Sequence, residues 1–429
     1  GGTGSGKSFF YNRLIAAHAD GKTDVVVLDA APGTPSYPAI CKLLGGSYVN
    51  EKFCQNIFET LRDKNGAFLV PSEEESSQII AVLTTILKDR GEEFSKNKTA
   101  LLSKALTKLY ETRINPTDPV YMSDYVEVLE SLGGPKTSTD YPIVEAFVSV
   151  LRADWVRNSN GRYSDYVDGP TNINNSWFTV FDLKHIMDQP DLSSVIGGLI
   201  CRYIDGLERE NRARAPEDRR QILLVLDEAW KMLSDPIMSP IVMGWYRAGR
   251  ARNFSVHVLT QSFNDLFSFL KSTGDGNVKN SPIVQNSSHF FLFRTKSEDA
   301  RLVGETLGLN DIQVSQLCNL SGEKGRYMEM VHVADLTRSG QRAFNKLRVY
   351  PILEEVWGYT TDADDRNKLD QRVKYHMNLM KENSEYPRFL ARELMNEGWP
   401  NMMKLHYNDL FIYASIRDMA GISREKLKG

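Results

Sequence analysis

The stretch that most constrains the fold is Gly1-Gly2-Thr3-Gly4-Ser5-Gly6-Lys7-Ser8, which fits G-x-x-x-x-G-K-[ST]. Glycines let a backbone curl until its N–H groups converge on phosphate oxygens, and the helix that follows turns its positive end toward the same charge. In such a loop residues 1–8 cradle the phosphates, Lys7 reaches the β- and γ-phosphates, and Ser8 holds Mg²⁺. The apolar positions Phe9, Phe10, Leu14, Ile15 and Ala17 follow at once, with the period of a helix seated on a sheet. A merely flexible glycine-rich end would lack that continuation. A phosphate loop ordinarily hangs off a buried strand, so residues upstream of Gly1 are expected to complete the sheet.

Continuous apolar runs bounded by polar ends read as strands buried on both faces. Asp24-Val25-Val26-Val27-Leu28-Asp29 is one, and Trp177-Phe178-Thr179-Val180-Phe181-Asp182-Leu183 is another. Open α/β sheets bind ligands at the carboxyl ends of their strands, which puts Asp29 near the nucleotide edge, either facing the ligand or fixing the turn. A third run, Gln221-Ile222-Leu223-Leu224-Val225-Leu226, ends in Asp227-Glu228-Ala229-Trp230. There Asp227 is predicted to hold Mg²⁺ through its hydration shell, and Glu228 to polarise the attacking water.

Residues 237–252 read as a helix that carries Arg247, Arg250 and Arg252 toward its end. On a helix Arg247 and Arg250 share a face, suited either to a phosphoryl group bound by a neighbouring subunit or to ordinary surface cations. Phe254–Thr260 alternates like a strand and delivers Gln261-Ser262, an amide suited to the γ-phosphate beside a helix-capping hydroxyl. Residues 288–294 suggest another buried strand ending in Arg294, and residues 325–333 and 341–349 a closing hairpin. A helix is expected over 192–210. The run Arg209–Arg220 is rich in both signs of charge, as solvated loops are.

Between these strands the texture turns helical. Residues 76–90, 99–113, 120–132 and 141–156 have apolar spacings of three and four and are separated by Pro116, Pro119, Gly133-Gly134-Pro135 and Gly161. The predicted organisation is therefore an α/β core of residues 1–50 and 167–350 with a largely parallel sheet, an all-α insertion over 51–166, and a helical C-terminal tail over 351–429. The insertion suits partner binding, oligomer contact or bracing of the core.

The chain has 429 residues, 41% apolar, with a net charge of −3. That balance gives no global attraction to nucleic acid or to an anionic membrane. Cys41, Cys54, Cys201 and Cys318 form no C-x-x-C pair, so neither a zinc site nor a disulfide framework is indicated, and a reducing cytoplasm suits them. No apolar run reaches 18 residues; the best, near Val195–Ile204, is broken by Arg202.

Taken in order, the glycine-rich loop, the strand ending at Asp29, Leu43-Leu44-Gly45-Gly46-Ser47-Tyr48, Leu226-Asp227-Glu228-Ala229-Trp230-Lys231-Met232-Leu233 and Val258-Leu259-Thr260-Gln261-Ser262-Phe263-Asn264-Asp265-Leu266 resemble the C-terminal motor domain of TraC-type ATPases of conjugative type IV secretion systems. The resemblance spans about residues 1–350, and the stretch after Asp29, with Pro32 and Pro35, departs from it. It implies a RecA-like P-loop NTPase, hydrolysis of ATP with Mg²⁺, and a hexamer of identical subunits. It also implies a cytoplasmic placement, peripheral at the inner membrane through partners or an N-terminal region, with other secretion components as partners. Carried over by motif, Gly6, Lys7 and Ser8 meet phosphates and metal, Asp227 and Glu228 meet metal and water, and Gln261 meets the γ-phosphate. The alternative is a hexameric DNA translocase of the HerA/FtsK kind. That reading calls for a basic pore loop, and the candidate stretches 209–220 and 271–279 are mixed in sign or sparse in charge, so nucleic acid is the less favoured partner.

Overall fold

The computed structural model describes residues 6–351 except 20, 32–34, 51–52, 89–93, 114, 174–175, 188, 236–237, 262, 324–325 and 336–341, together with Tyr359, Asp364, Asn367, Gln371, Asn378 and Glu382. Gly1 to Ser5, Ser262, the tip of the predicted hairpin and nearly all of the tail lie outside the described residues.

The elements run α1 (Lys7–Ala17), β1 (Thr23–Asp29), α2 (Pro38–Leu43), β2 (Ser47–Val49), α3 (Glu73–Leu87), α4 (Lys96–Glu111), α5 (Met122–Leu132), α6 (Tyr141–Asp154), α7 (Ser164–Val167), β3 (Phe178–Asp182) and α8 (Pro190–Ala213). They continue with β4 (Gln221–Asp227), α9 (Ala229–Leu233), α10 (Met238–Ala248), β5 (Phe254–Val258), α11 (Phe263–Thr273), α12 (Pro282–Asn286), β6 (His289–Phe293), α13 (Ser297–Leu307), α14 (Asp311–Cys318), β7 (Gly322–Glu323), β8 (Tyr327–Asp335) and β9 (Arg342–Val349).

Five strands form one sheet in the order β2-β3-β1-β4-β5. The Leu183 N–H donates to the Asp29 carbonyl at 2.8 Å and the Ala30 N–H to the Asp227 carbonyl at 3.2 Å, so the carboxyl ends of β3, β1 and β4 stand side by side. At the opposite edge the Ile222 N–H donates to the Asn253 carbonyl at 3.0 Å, which aligns the starts of β4 and β5. These strands are therefore parallel, as their unbroken apolar runs require when both faces are covered. Val26, Val27, Leu28, Val180, Phe181, Leu224, Val225 and Leu226 are all buried.

The chain divides into two compact units. One comprises the described residues of Val26–Ala30 and Val49–His257. In it α8 packs on β3 through Tyr203, whose ring meets Phe181 edge-on at 5.4 Å. Gly197 lets α8 approach α10: a Cβ there would lie 2.6 Å from Cγ of Met238. The helices α3 to α6 appear where the periodicity places them, and the first begins with a capping box in which Ser72 and Glu75 each bond the other's backbone N–H. They share a core with α8. Arg202 reaches from α8 to the carbonyls of Glu75 (3.3 Å) and Glu59 (3.2 Å), and Tyr125 stacks on Phe58 at 5.2 Å.

Arg202 is buried, and burial lowers its pKa to about 10 while leaving it cationic at neutral pH. The apolar run it interrupts is thus a buried helix face in which the one charge has carbonyl partners. From Arg214 to Arg219 the charged segment is the exposed loop expected, with a 3-10 turn at Pro216–Asp218. At its start the helix runs past Glu210 to Ala213: Arg209 pairs with Glu75 at 3.0 Å, and Arg212 pairs with the buried Glu208 at 2.8 Å through i,i+4 spacing.

The other unit comprises the described residues of Gly1–Val25, Ala31–Tyr48 and Val258–Gly429. Its sheet is antiparallel, with β8 between β6 and β9 and β7 pairing the start of β8. Val331 and Val333 of β8 join Ala300, Val303, Leu307, Leu317 and Leu320 of the α13–α14 region in one core. The predicted hairpin is therefore β8 and β9. The strand at 289–293 departs from expectation: it pairs antiparallel with β8, and only Phe293 is fully buried. Its aromatics alternate between two packed faces: Phe10 of α1 meets Phe291 at 5.1 Å and Phe293 at 5.9 Å, while Phe290 packs against the α13–α14 core. No helix among the described residues is long and apolar enough to cross a membrane. All four cysteines are free.

Candidate nucleotide site

Gly6, Lys7 and Ser8 form the turn into α1. Gly6 has φ 89° and ψ 3°, a left-handed conformation, and its carbonyl accepts the Phe10 N–H at 2.9 Å to start the helix. A Cβ at Gly6 would also lie 3.2 Å from Sδ of Met328 on β8, so both the conformation and the close approach call for glycine. Lys7 is buried and Ser8 half-buried. Gln261, in the same unit, is exposed and lies three positions beyond the end of β5.

In the other unit, three adjacent strands end in an aspartate: Asp29 on β1, Asp182 on β3 and Asp227 on β4. Asp182 was not singled out by its motif, although its place at the end of an apolar run was the available signal. Its Oδ1 accepts the Lys184 N–H at 3.2 Å and fixes the turn. Asp29 and Asp227 are buried, at 2% and 1% exposure. Glu228 follows at 3% exposure with φ 54° and ψ 47°, left-handed for a residue that has a Cβ. Its N–H donates to Asp227 Oδ1 at 3.1 Å, and its Oε2 accepts the indole N–H of Trp230 at 3.1 Å. Adjacent buried carboxylates are costly to retain, and a strained non-glycine conformation adds about 1–3 kcal/mol, a combination typical of functional positions.

The arginines fall elsewhere. The α10 helix ends at Ala248 and Gly249–Arg252 is a 3-10 turn, so Arg247 and Arg250 do not share one α-helical face as expected. That turn leads into β5 at Asn253, beside the start of β4. Arg247 and the Arg250–Arg252 turn therefore lie at the amino edge of the parallel sheet, opposite Asp227. Arg247 is exposed, and Arg252 is half-buried within electrostatic reach of Asp205.

A parallel sheet with acids gathered at its carboxyl edge, in a chain that opens on a phosphate-loop motif, defines a RecA-like P-loop NTPase domain. The sequence matches the TraG P-loop domain family over residues 1–386, and the chain belongs to that family. The TraC-type resemblance drawn from the motifs lies close to this assignment. The chain is similar to the type IV secretion system protein CagE of Helicobacter pylori, at 29% identity over 141 residues that make up 30% of the chain and 14% of CagE. Among solved structures it resembles VirB4 of Thermoanaerobacter pseudethanolicus, with a TM-score of 0.56 and 21% identity over 81% of this chain and 88% of that one. The bacterial conjugative coupling protein TrwB aligns with a TM-score of 0.42 and 14% identity, covering 81% of this chain and 76% of that one.

Proposed function

We propose that this chain is an ATP-hydrolysing motor of a type IV secretion or conjugation apparatus, energising pilus biogenesis and substrate transfer. The observation that carries the reading is the buried Asp227-Glu228 pair closing β4 at the carboxyl edge of a parallel sheet, in a member of a P-loop family. The names of the relatives, a secretion-system protein and VirB4, support the cellular role. The enzyme works as an assembly of identical subunits, with a hexamer as the expected form, at the cytoplasmic face of the inner membrane beside other secretion components.

The donor set fits Mg²⁺, which takes hard oxygen ligands and keeps several waters: Ser8 offers a hydroxyl and Asp227 a single carboxylate. Bound there, the ion would neutralise phosphate charge. Gly6 brings its backbone close to the phosphates, Lys7 supplies a cation to them, and Gln261 contacts the γ-phosphate. Glu228 accepts one proton from the attacking water. The water oxygen bonds to the γ-phosphorus as the bond to the bridging oxygen breaks, and ADP leaves with that electron pair. Arg247, Arg250 and Arg252 serve a neighbouring subunit's nucleotide, with Arg247 the most accessible of those whose side chains are described.

Lys7→Ala should abolish binding of a fluorescent ATP analogue. Glu228→Gln should retain that binding while phosphate release falls about 10²- to 10⁴-fold, the range for a lost general base. Full turnover in Glu228→Gln would overturn the proposed chemistry.

A further inference from the structure

Trp230 stands on the first turn of α9, two residues beyond Glu228, and its indole N–H donates to Glu228 Oε2 at 3.1 Å. The two partners do not depend on this bond equally. Trp230 is half-buried, so water could satisfy its N–H, whereas Glu228 is 3% exposed and a buried carboxylate needs donors from the protein. An indole is a donor only, so it fixes a carboxylate without competing for the proton that carboxylate takes. The same unit contains a second such pair, in which Trp245 Nε1 donates to Asp205 Oδ1 at 3.4 Å. There burial raises the Asp205 pKa and the indole bond opposes the rise, favouring the charged form. Glu228 sits in a left-handed step between β4 and α9, where its carbonyl accepts the Lys231 N–H at 3.1 Å and its N–H donates to Asp227; these bonds fix its backbone and not its carboxylate. Its orientation therefore depends on side-chain anchors.

We infer that Trp230 is a positioning residue for hydrolysis, its indole N–H anchoring Oε2 of Glu228 so that the carboxylate is held in one orientation for the attacking water. The inference rests on Glu228 as the proposed base. It identifies a role for the tryptophan that neither the phosphate loop nor the acidic pair accounts for, and it predicts an effect on turnover separable from nucleotide binding.

The test uses the full chain and compares Trp230→Phe, which keeps an aromatic ring without the donor, with Trp230→His, which restores a ring N–H, and with Glu228→Gln. The readouts are phosphate release, affinity for a fluorescent ATP analogue and thermal midpoint. Trp230→Phe is expected to lower kcat about 10- to 100-fold, as misplacement of a catalytic group does, with affinity changed less than twofold. Trp230→His is expected to recover part of the lost rate. Full turnover in Trp230→Phe beside an inactive Glu228→Gln would overturn the positioning role alone, and active Glu228→Gln would overturn the base on which it rests. Equal losses of affinity, midpoint and rate in both Trp230 variants would mark a merely structural residue and also overturn the inference.

Discussion

The Glu329 carboxylate on β8 is bonded at both oxygens, and neutralising it should loosen the sheet that backs Gly6. Its Oε1 accepts from Arg348 Nε at 3.1 Å and Nη2 at 2.6 Å, and its Oε2 accepts from the Ser321 N–H and Oγ, both at 2.9 Å, and pairs with Lys346 at 2.9 Å. The register sets Arg348 directly opposite Glu329, with Lys346 on the diagonal. Arg348 is the largest influence holding the carboxyl pKa down, from 4.5 to about 2, against the opposing effect of burial. That difference sets a ceiling of about 3 kcal/mol. The Arg348 and Lys346 side chains are each 47% exposed, and screening by solvent reduces the expected loss in Glu329→Gln to about 1–2 kcal/mol. Because the folded pKa lies below the unfolded one, this stability is fully present above pH 4.5 and is lost as pH falls toward 2. Hydrogen exchange of the β8–β9 amides, measured for wild type and Glu329→Gln at pH 7 and pH 3, should show protection lost in the variant and a gap that narrows in acid. Equal protection at pH 7, or a gap that stays constant with pH, would refute the reasoning.

Gly6→Ala should weaken binding of a fluorescent ATP analogue about 5- to 30-fold, since left-handed backbone costs an L-residue about 1–2 kcal/mol and the new methyl presses on Met328; unchanged affinity would show that the turn relaxes freely. Arg247→Ala should reduce phosphate release only at protein concentrations where subunits associate, by up to about 10³-fold, and analytical ultracentrifugation run beside the rate assay checks it; the same fractional loss in the monomer would count against action between subunits.

Both motifs that carry the proposed chemistry were legible because their residue types leave few alternatives. Unbroken apolar runs such as Val25–Leu28 and Ile222–Leu226 suit strands covered on two faces, and the acids at their ends then fall on one edge by parallel topology. The helices of residues 73–154 were visible through their periodicity to within a few positions. What could not be read locally was pairing between distant segments. Residues 289–293 have the same apolar texture as the parallel strands, yet they pair antiparallel with β8, and only the partner's position distinguishes the two. Composition also cannot show where the charged stretch leaves the helix: Arg212 stays on it beside Glu208, and only from Arg214 is the chain the exposed loop its charges suggest. Trp230 belongs to the motif that follows β4, but its bond to Glu228 depends on the left-handed step at residue 228, which sequence spacing does not reveal.

The placement of the arginines bears on how the proposed motor must be built. Asp227 closes β4 at its carboxyl end, whereas Asn253, next to the Arg250–Arg252 turn, lies beside Ile222 at its amino end. A strand of this length separates those edges by roughly 20 Å, several times the span of a hydrogen bond. Within this unit, then, the acids and these arginines cannot serve the same γ-phosphate. If the arginines act in hydrolysis at all, the phosphate they meet is bound by another copy, and each copy in turn receives its arginine from a neighbour. Such an exchange is heterologous: one face supplies what a different face receives, and repetition of the contact gives a ring when the rotation closes. On the proposed role of the arginines, turnover depends on assembly, and a monomer with the full hydrolytic rate would leave the arginine turn without a role in catalysis.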